Sequence, residues 1–389
     1  MTGELGELLL SHRQRRLVHE IRDHCTTAAT ADDVDADVGG PHSAELAAEV
    51  GARGWWNFTI DPRYGGARHA GGGFLDAALF AEEAFKAQLR IAGYIPTFIV
   101  VAALNMFGTA AQRADHFSRV VRGGVLAVSL TEPQAGSDIA AVDTRARLDD
   151  TGTHWVISGR KRWCSLANVA DHILVFCRTA GESDRDGLSM IFVPRDADGL
   201  TIDPIRTPIP DLTCALTFDA VRVPRDALLG QEGAGFRQSV AGLNFERMIV
   251  AASSLGLAQR AFDDALAYVR ERRQFGRPVG SFQAQQHRFA GLATELTKTR
   301  LLVHGVAAMM DDDPARSLPR EASMAKLSAT ELAKRCALEG MQAMGANGYA
   351  NEYGMERYLR AALGSTFFGG TSEIQRNIIA QTFGLRADN

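Results

Sequence analysis

The chain has 389 residues, 46% of them apolar and 23% charged, with a net charge of −4. That length supports two or three domains with substantial cores, and the slight acidity argues against a nucleic-acid binder, whose affinity rests on many Lys and Arg contacts to phosphate. Five cysteines without a CxxC, and ten histidines without an HExxH, point away from a disulfide framework and from any metal site.

In chain order, residues 1–124 read as a helical domain. The first ten residues, acidic with a very short apolar run, do not form a signal peptide. A helix is expected over 43–51, opened by a capping Ser43 and closed at Gly51. A turn follows over 61–66. Residues 76–86 have helical spacing, and 94–107 is so apolar that a buried helix is expected. Its longest apolar run, 98–107, is too short to span a bilayer, so no membrane partner is expected.

Residues 125–234 change character. The short runs 125–130, 154–158, 172–177, 188–193 and 215–223 are β-rich and separated by Gly, Asp and Pro, which suggests a small β-barrel or sandwich. Residues 235–389 return to helices over 236–273, 282–310, 320–344 and 372–383, with a turn at 311–314. Long helices joined by short loops suggest a four-helix bundle. The fold class is therefore α+β and multidomain. A cytoplasmic enzyme acting on small molecules is expected.

Four motifs carry chemistry. No GxGxxG, GxxxxGK[ST] or GxSxG is present. Leu130-Thr-Glu-Pro-Gln-Ala-Gly-Ser-Asp138 follows a strand and offers backbone N–H groups and hydroxyls to a heterocycle or phosphate; on its own it reads equally as a tight turn. Gly159-Arg-Lys-Arg-Trp-Cys-Ser165 places a Trp two residues before a hydroxyl, where it could flank a flat ring or simply join a core. Glu271-Arg-Arg-Gln-Phe-Gly-Arg-Pro278 ends a long helix with positive charge, suited to an anion or to helix-dipole compensation. Gly345-Ala-Asn-Gly-Tyr349 precedes Phe368-Gly-Gly-Thr-Ser-Glu-Ile-Gln-Arg376, where Gly-Gly and hydroxyls open a helix that can bind anions.

In this order and spacing, over roughly residues 40–385, the motifs resemble the acyl-CoA dehydrogenase flavoprotein family. The resemblance implies an N-terminal helical domain, a middle β-barrel domain and a C-terminal four-helix bundle, with FAD as cofactor. It places Leu130, Thr131, Gly136 and Ser137 along the isoalloxazine and pyrophosphate, and Trp163 and Ser165 against the ring. Cys164 is read as a packing residue. A neighbouring subunit would contribute Arg272, Gln274, Phe275, Gln342 and Gly345, and Thr371 and Glu373 would hold the adenosine end. A shared site implies a homo-oligomer, in this family usually a tetramer.

The implied reaction is α,β-dehydrogenation of an acyl thioester. A base takes the α-proton while hydride leaves the β-carbon for flavin. Most members carry that base in a Tyr-Glu-Gly-Thr sequence, and here the position is Gly369. Members of the isovaleryl-type and long-chain-type branches carry it instead before an Arg on the long helix, which matches Glu246 and Arg247. Its neighbours Phe245, Met248, Ile249 and Val250 are apolar, a setting that raises a carboxyl pKa. The Gly369 N–H would still bind the thioester oxygen, and its missing side chain leaves room for branched acyl groups. Ser137, Asn244, Arg247 and Phe368 would meet the substrate. Asn244 stands where some relatives have an acidic residue, so the thioester is either acyl-CoA or an acyl-carrier-protein conjugate, as in secondary metabolism. Electrons would pass to an electron-transfer flavoprotein or to oxygen. The non-enzymatic alternative is a partner subunit of a hetero-oligomer.

Overall fold

The computed structural model describes residues 9–28, 42–68, 73–181, 185–209, 212–314 and 316–385. Residues 1–8, read above for a signal peptide, lie outside them. The helices are α1 (His12–Ala28), α2 (Ala44–Ala52), α3 (Phe74–Lys86), α4 (Tyr94–Phe107), α5 (Ala110–Val120), α6 (Gly235–Glu271), α7 (Gln283–Asp312), α8 (Pro319–Met344), α9 (Ala346–Tyr349), α10 (Met355–Ser365) and α11 (Ser372–Thr382). The strands are β1 (Leu126–Ser129), β2 (Arg145–Leu148), β3 (His154–Ser165), β4 (His172–Arg178), β5 (Leu188–Pro194), β6 (Leu200–Pro204), β7 (Thr213–Pro224) and β8 (Leu228–Leu229). The chain packs as two compact units. One comprises Met1–Asp33, Gly71–Leu89 and Arg247–Asn389, the other Val34–Ala70 and Arg90–Glu246.

The second of these units is built on the β-sheet. Its strand order is β6-β7-β3-β2-β4-β5-β8, with β1 paired parallel to β4. The core of the sheet is β3 against β7 and β4 against β5, both antiparallel. All but one residue of β4 and of β5 is buried, and the continuous apolar runs Ile173–Cys177 and Met190–Val193 supply that burial. Helix α4 spans the expected residues and is buried along most of its length. Its Thr97 hydroxyl accepts the Leu126 N–H at 3.0 Å, which ties α4 to β1. Helix α5 opens with a capping box, Thr109 with Gln112, and the Gln112 amide also donates to Asp226 O and Leu228 O at 2.8 and 2.9 Å. Helix α2 begins at the expected Ser43 cap, but Gly51 does not end it. The helix runs to Ala52 and the left-handed glycine is Gly54, at φ 78°.

The other unit is helical. Helix α7 continues through Asp312, so the turn expected at 311 is its last turn instead. There the Asp311 carboxylate accepts the N–H groups of Phe74 and Leu75 at 2.8 and 3.0 Å and so caps α3 from a distant part of the chain. Helix α3 crosses α6 closely, because a Cβ at Gly256 would lie 2.1 Å from Glu82 O. A buried polar chain then joins α3, α6 and α7. Glu82 accepts from Arg300 Nε and pairs with His304 Nε2, both at 2.7 Å, and Arg300 donates to Gln259 Oε1 at 2.8 Å. Burial alone would raise the Glu82 carboxyl, but the Arg300 charge and the His304 contact outweigh it and hold it far below the ordinary range. Helix α10, not expected from the sequence, packs on α8.

Candidate active site

In the sheet-containing unit, the 130–138 loop is locked to β3. The Lys161 ammonium donates to Leu130 O at 2.9 Å and to Glu132 Oε1 at 2.8 Å. The Arg162 N–H donates to Thr131 O at 2.9 Å. Glu132 further accepts the N–H groups of Asp143 and Thr144 at 2.7 and 3.0 Å. Both charged side chains are buried, with 0% and 2% of their side-chain surface exposed. Burial disfavours the ionised Glu132, but the Lys161 charge and the donated hydrogen bonds win, so its carboxyl stays below the usual value. The pair is an internal brace. Sequence reading did not single it out, although each partner sits inside one of the motifs.

The brace leads to Trp163. The β3–β7 register shifts between Lys161 and Cys164, and Trp163 occupies this bulge at φ 63°. Such a conformation costs a non-glycine residue about 1–3 kcal/mol and tends to occur at ligand sites. Its indole is half-exposed, with the Arg162 guanidinium 4.9 Å from the ring centroid. Gly136 and Ser137 are exposed, and a Cβ at Gly136 would meet no atom within 4 Å. An exposed flat ring, an open loop and the hydroxyls of Thr131, Ser137 and Ser165 together suit a planar cofactor with a polar tail. Cys164 is fully buried, and burial pushes its thiol up to about 12, which suits packing rather than reaction. Asn244 and Phe245 are buried on α6, and Glu246 is half-buried after them.

In the helical unit, Arg247, Met248, Ile249 and Val250 continue α6 and are buried. The 368–371 turn is clamped from inside. The Lys326 ammonium donates to Gly370 O at 2.9 Å, and the Gln375 amide donates to Gly369 O and Gly370 O at 3.1 and 2.9 Å. Gly369 has φ 64° and Gly370 φ 87°, which favours glycine at both. Phe368 is 40% exposed beside them. Thr371 caps α11 by accepting the Ile374 N–H at 3.3 Å, and Glu373 is exposed in its first turn. Arg272 is exposed where α6 ends. A tight hairpin follows, pairing Gln274 with Arg277, and Phe275 stands at its tip, 92% exposed. The Asn347 amide donates to Tyr268 Oη at 2.9 Å, which ties the loop of Gly345 to α6, and Gln342 is exposed just before it.

The chain matches the acyl-CoA dehydrogenase N-terminal, middle and C-terminal domains over residues 11–124, 127–221 and 233–384. It is 34% identical over 334 residues to the short/branched chain specific acyl-CoA dehydrogenase, mitochondrial, of Bos taurus, covering 85% of this chain and 76% of that protein. Among solved structures, the glutaryl-coenzyme A dehydrogenase glutaryl-CoA complex superposes with a TM-score of 0.91 at 29% identity, over 97% of this chain and 96% of that one. The prolyl acyl carrier protein oxidase AnaB superposes with a TM-score of 0.90 at 25% identity, over 97% of this chain and all of that one. No helix among the described residues is long and apolar enough to cross a membrane.

Proposed function

The chain belongs to the acyl-CoA dehydrogenase family, FAD-dependent oxidoreductases acting on CH–CH bonds, and on that basis we propose that Glu246 is the base that takes the α-proton of an acyl thioester. The observation that carries this reading is the exchange of residue types between two positions. Gly369 offers no carboxylate, while Glu246 offers one on α6, next to buried apolar side chains. Apolar neighbours solvate an ionised carboxylate poorly and so strengthen it as a base toward a weakly acidic carbon-bound proton.

When bound, FAD supplies the acceptor for the β-hydrogen and its electrons. The protein orients and polarises. The Gly369 N–H binds the thioester oxygen and stabilises the charge that grows there as the α-proton leaves. Trp163, Ser165, Leu130, Thr131, Gly136 and Ser137 hold the ring and its phosphates, and Thr371 and Glu373 the adenosine end. Asn244, Arg247, Ser137 and Phe368 hold the acyl thioester. Arg272, Gln274, Phe275, Gln342 and Gly345 reach the cofactor of a second copy, in a homotetramer; the exposed Phe275 on its hairpin supports this. Electrons pass on to an electron-transfer flavoprotein.

The test is an anaerobic titration of the purified protein with a panel of acyl-CoAs. Loss of the oxidised flavin band on mixing is expected; a band that never bleaches overturns the reading. A carrier-protein substrate is the second possibility, favoured by the likeness to AnaB and by the amide at Asn244. Turnover only with the tethered substrate would establish it.

The space left by Gly369 has its own consequence. Branched acyl-CoAs should react at least as well as straight ones of equal carbon number. Gly369→Ala should then lower kcat/KM for the branched substrate at least ~10-fold more than for the straight one, since one methyl group in a pocket discriminates by roughly 10–200-fold. Equal losses on both substrates would refute the assignment of this space to the acyl group.

A further inference from the structure

Among 42 basic residues only five are lysines, and two of these, Lys161 and Lys326, are buried with their ammonium groups on backbone carbonyls. Arginine is the usual choice for a buried ion pair because its fork matches a carboxylate. At residue 161 the contact that matters is a point charge 2.9 Å from a single carbonyl oxygen, that of Leu130. Stability alone is a weak reason to keep the pair, since well-packed apolar residues commonly do as well.

The geometry goes further. A peptide unit is planar, and among the described residues none is cis, so the Thr131 N–H points away from the side on which Lys161 holds the Leu130 carbonyl. The Thr131 carbonyl is itself held by the Arg162 N–H. Among the described residues no acceptor takes the Thr131 N–H. A cation on the carbonyl end polarises the peptide and strengthens its N–H as a donor, and Glu132 holds the cation in place through a 2.8 Å contact.

We propose that Lys161 is a positioning residue for the cofactor: it fixes and polarises the Leu130–Thr131 peptide so that the Thr131 N–H favours the negative charge FAD gains on reduction. This rests on the assignment of Leu130 and Thr131 to the FAD site. A brace that only held the loop would weaken oxidised and reduced FAD equally. A polarising cation weakens the reduced form more when it is removed, and that difference is the midpoint potential.

The test uses Lys161→Met with Glu132→Gln, which removes both charges and leaves neither stranded. Apoprotein affinity for oxidised FAD and the midpoint potential of the reconstituted protein are measured. The expected result is a preference for reduced FAD at least tenfold weaker than in the wild type, a potential lower by ~30 mV for a two-electron couple. An unchanged potential overturns the proposal, whatever happens to affinity. Should the double variant not take up FAD, Glu132→Gln alone decides. Its amide oxygen can still accept from the Lys161 ammonium while the counter-charge is gone, so the potential is expected to rise, and an unchanged or lower potential overturns the proposal. Wild-type apoprotein that fails to bind FAD would instead remove the cofactor-site assignment, and this inference with it.

Discussion

Replacing Glu246 with Gln is expected to slow reduction of the bound flavin by a saturating acyl thioester about 10³–10⁴-fold, while FAD content stays at the wild-type level. A positioned general base contributes about 10²–10⁴-fold, and an amide cannot take the proton. The loss belongs in kcat, because the acyl group still binds. Single-turnover mixing under anaerobic conditions reads it directly. A wild-type rate in this variant would end the mechanism proposed here and return attention to another base or to a partner-subunit role. The same logic predicts partial rescue. Adding Gly369→Glu to Glu246→Gln places a carboxylate where most relatives carry theirs. It should restore at least ~10-fold of straight-chain activity, even though a left-handed φ of 64° costs a non-glycine residue about 1–2 kcal/mol.

The largest effect on stability is expected at Glu82. Glu82→Gln leaves Arg300 buried beside an amide in place of its carboxylate. Breaking a buried pair from one side costs about 3–5 kcal/mol, so the urea midpoint at pH 7 should fall clearly. The pH dependence follows from the depressed carboxyl. A group ionised more easily in the folded than in the unfolded chain stabilises fully above its unfolded value, about 4.3 for Glu, and that contribution fades as pH falls below it. The wild type should therefore lose its advantage over the variant on acidification. Equal midpoints at pH 7 would refute the assignment, and a gap that grew toward low pH would refute the sign.

The sequence alone was enough to locate most elements and to place the chain in its family. Helix α4 and the cores of β4 and β5 were legible because unbroken apolar runs must be buried. The four motifs were legible because each is a short local string, and their order carried the family. Strands β2 and β6 were not legible. Arg145–Leu148 and Leu200–Pro204 carry no apolar run, and their polar/apolar alternation lasts only four residues, too short to stand out from the surrounding loops. Helix α10 was missed beside the motif that followed it.

What only the tertiary structure decided is which groups meet. Lys161 and Glu132 are 29 residues apart, Arg300 and Glu82 218, and Asp311 caps a helix begun more than 200 residues earlier. Each meeting depends on strand register or helix crossing, which no local window contains. The exposed Trp163 has the same origin: its backbone conformation arises from a register shift between β3 and β7. Residue types set the chemistry available to this chain. Long-range packing set which charge sits on which carbonyl, because burial makes that pairing both costly to leave unmade and specific once made.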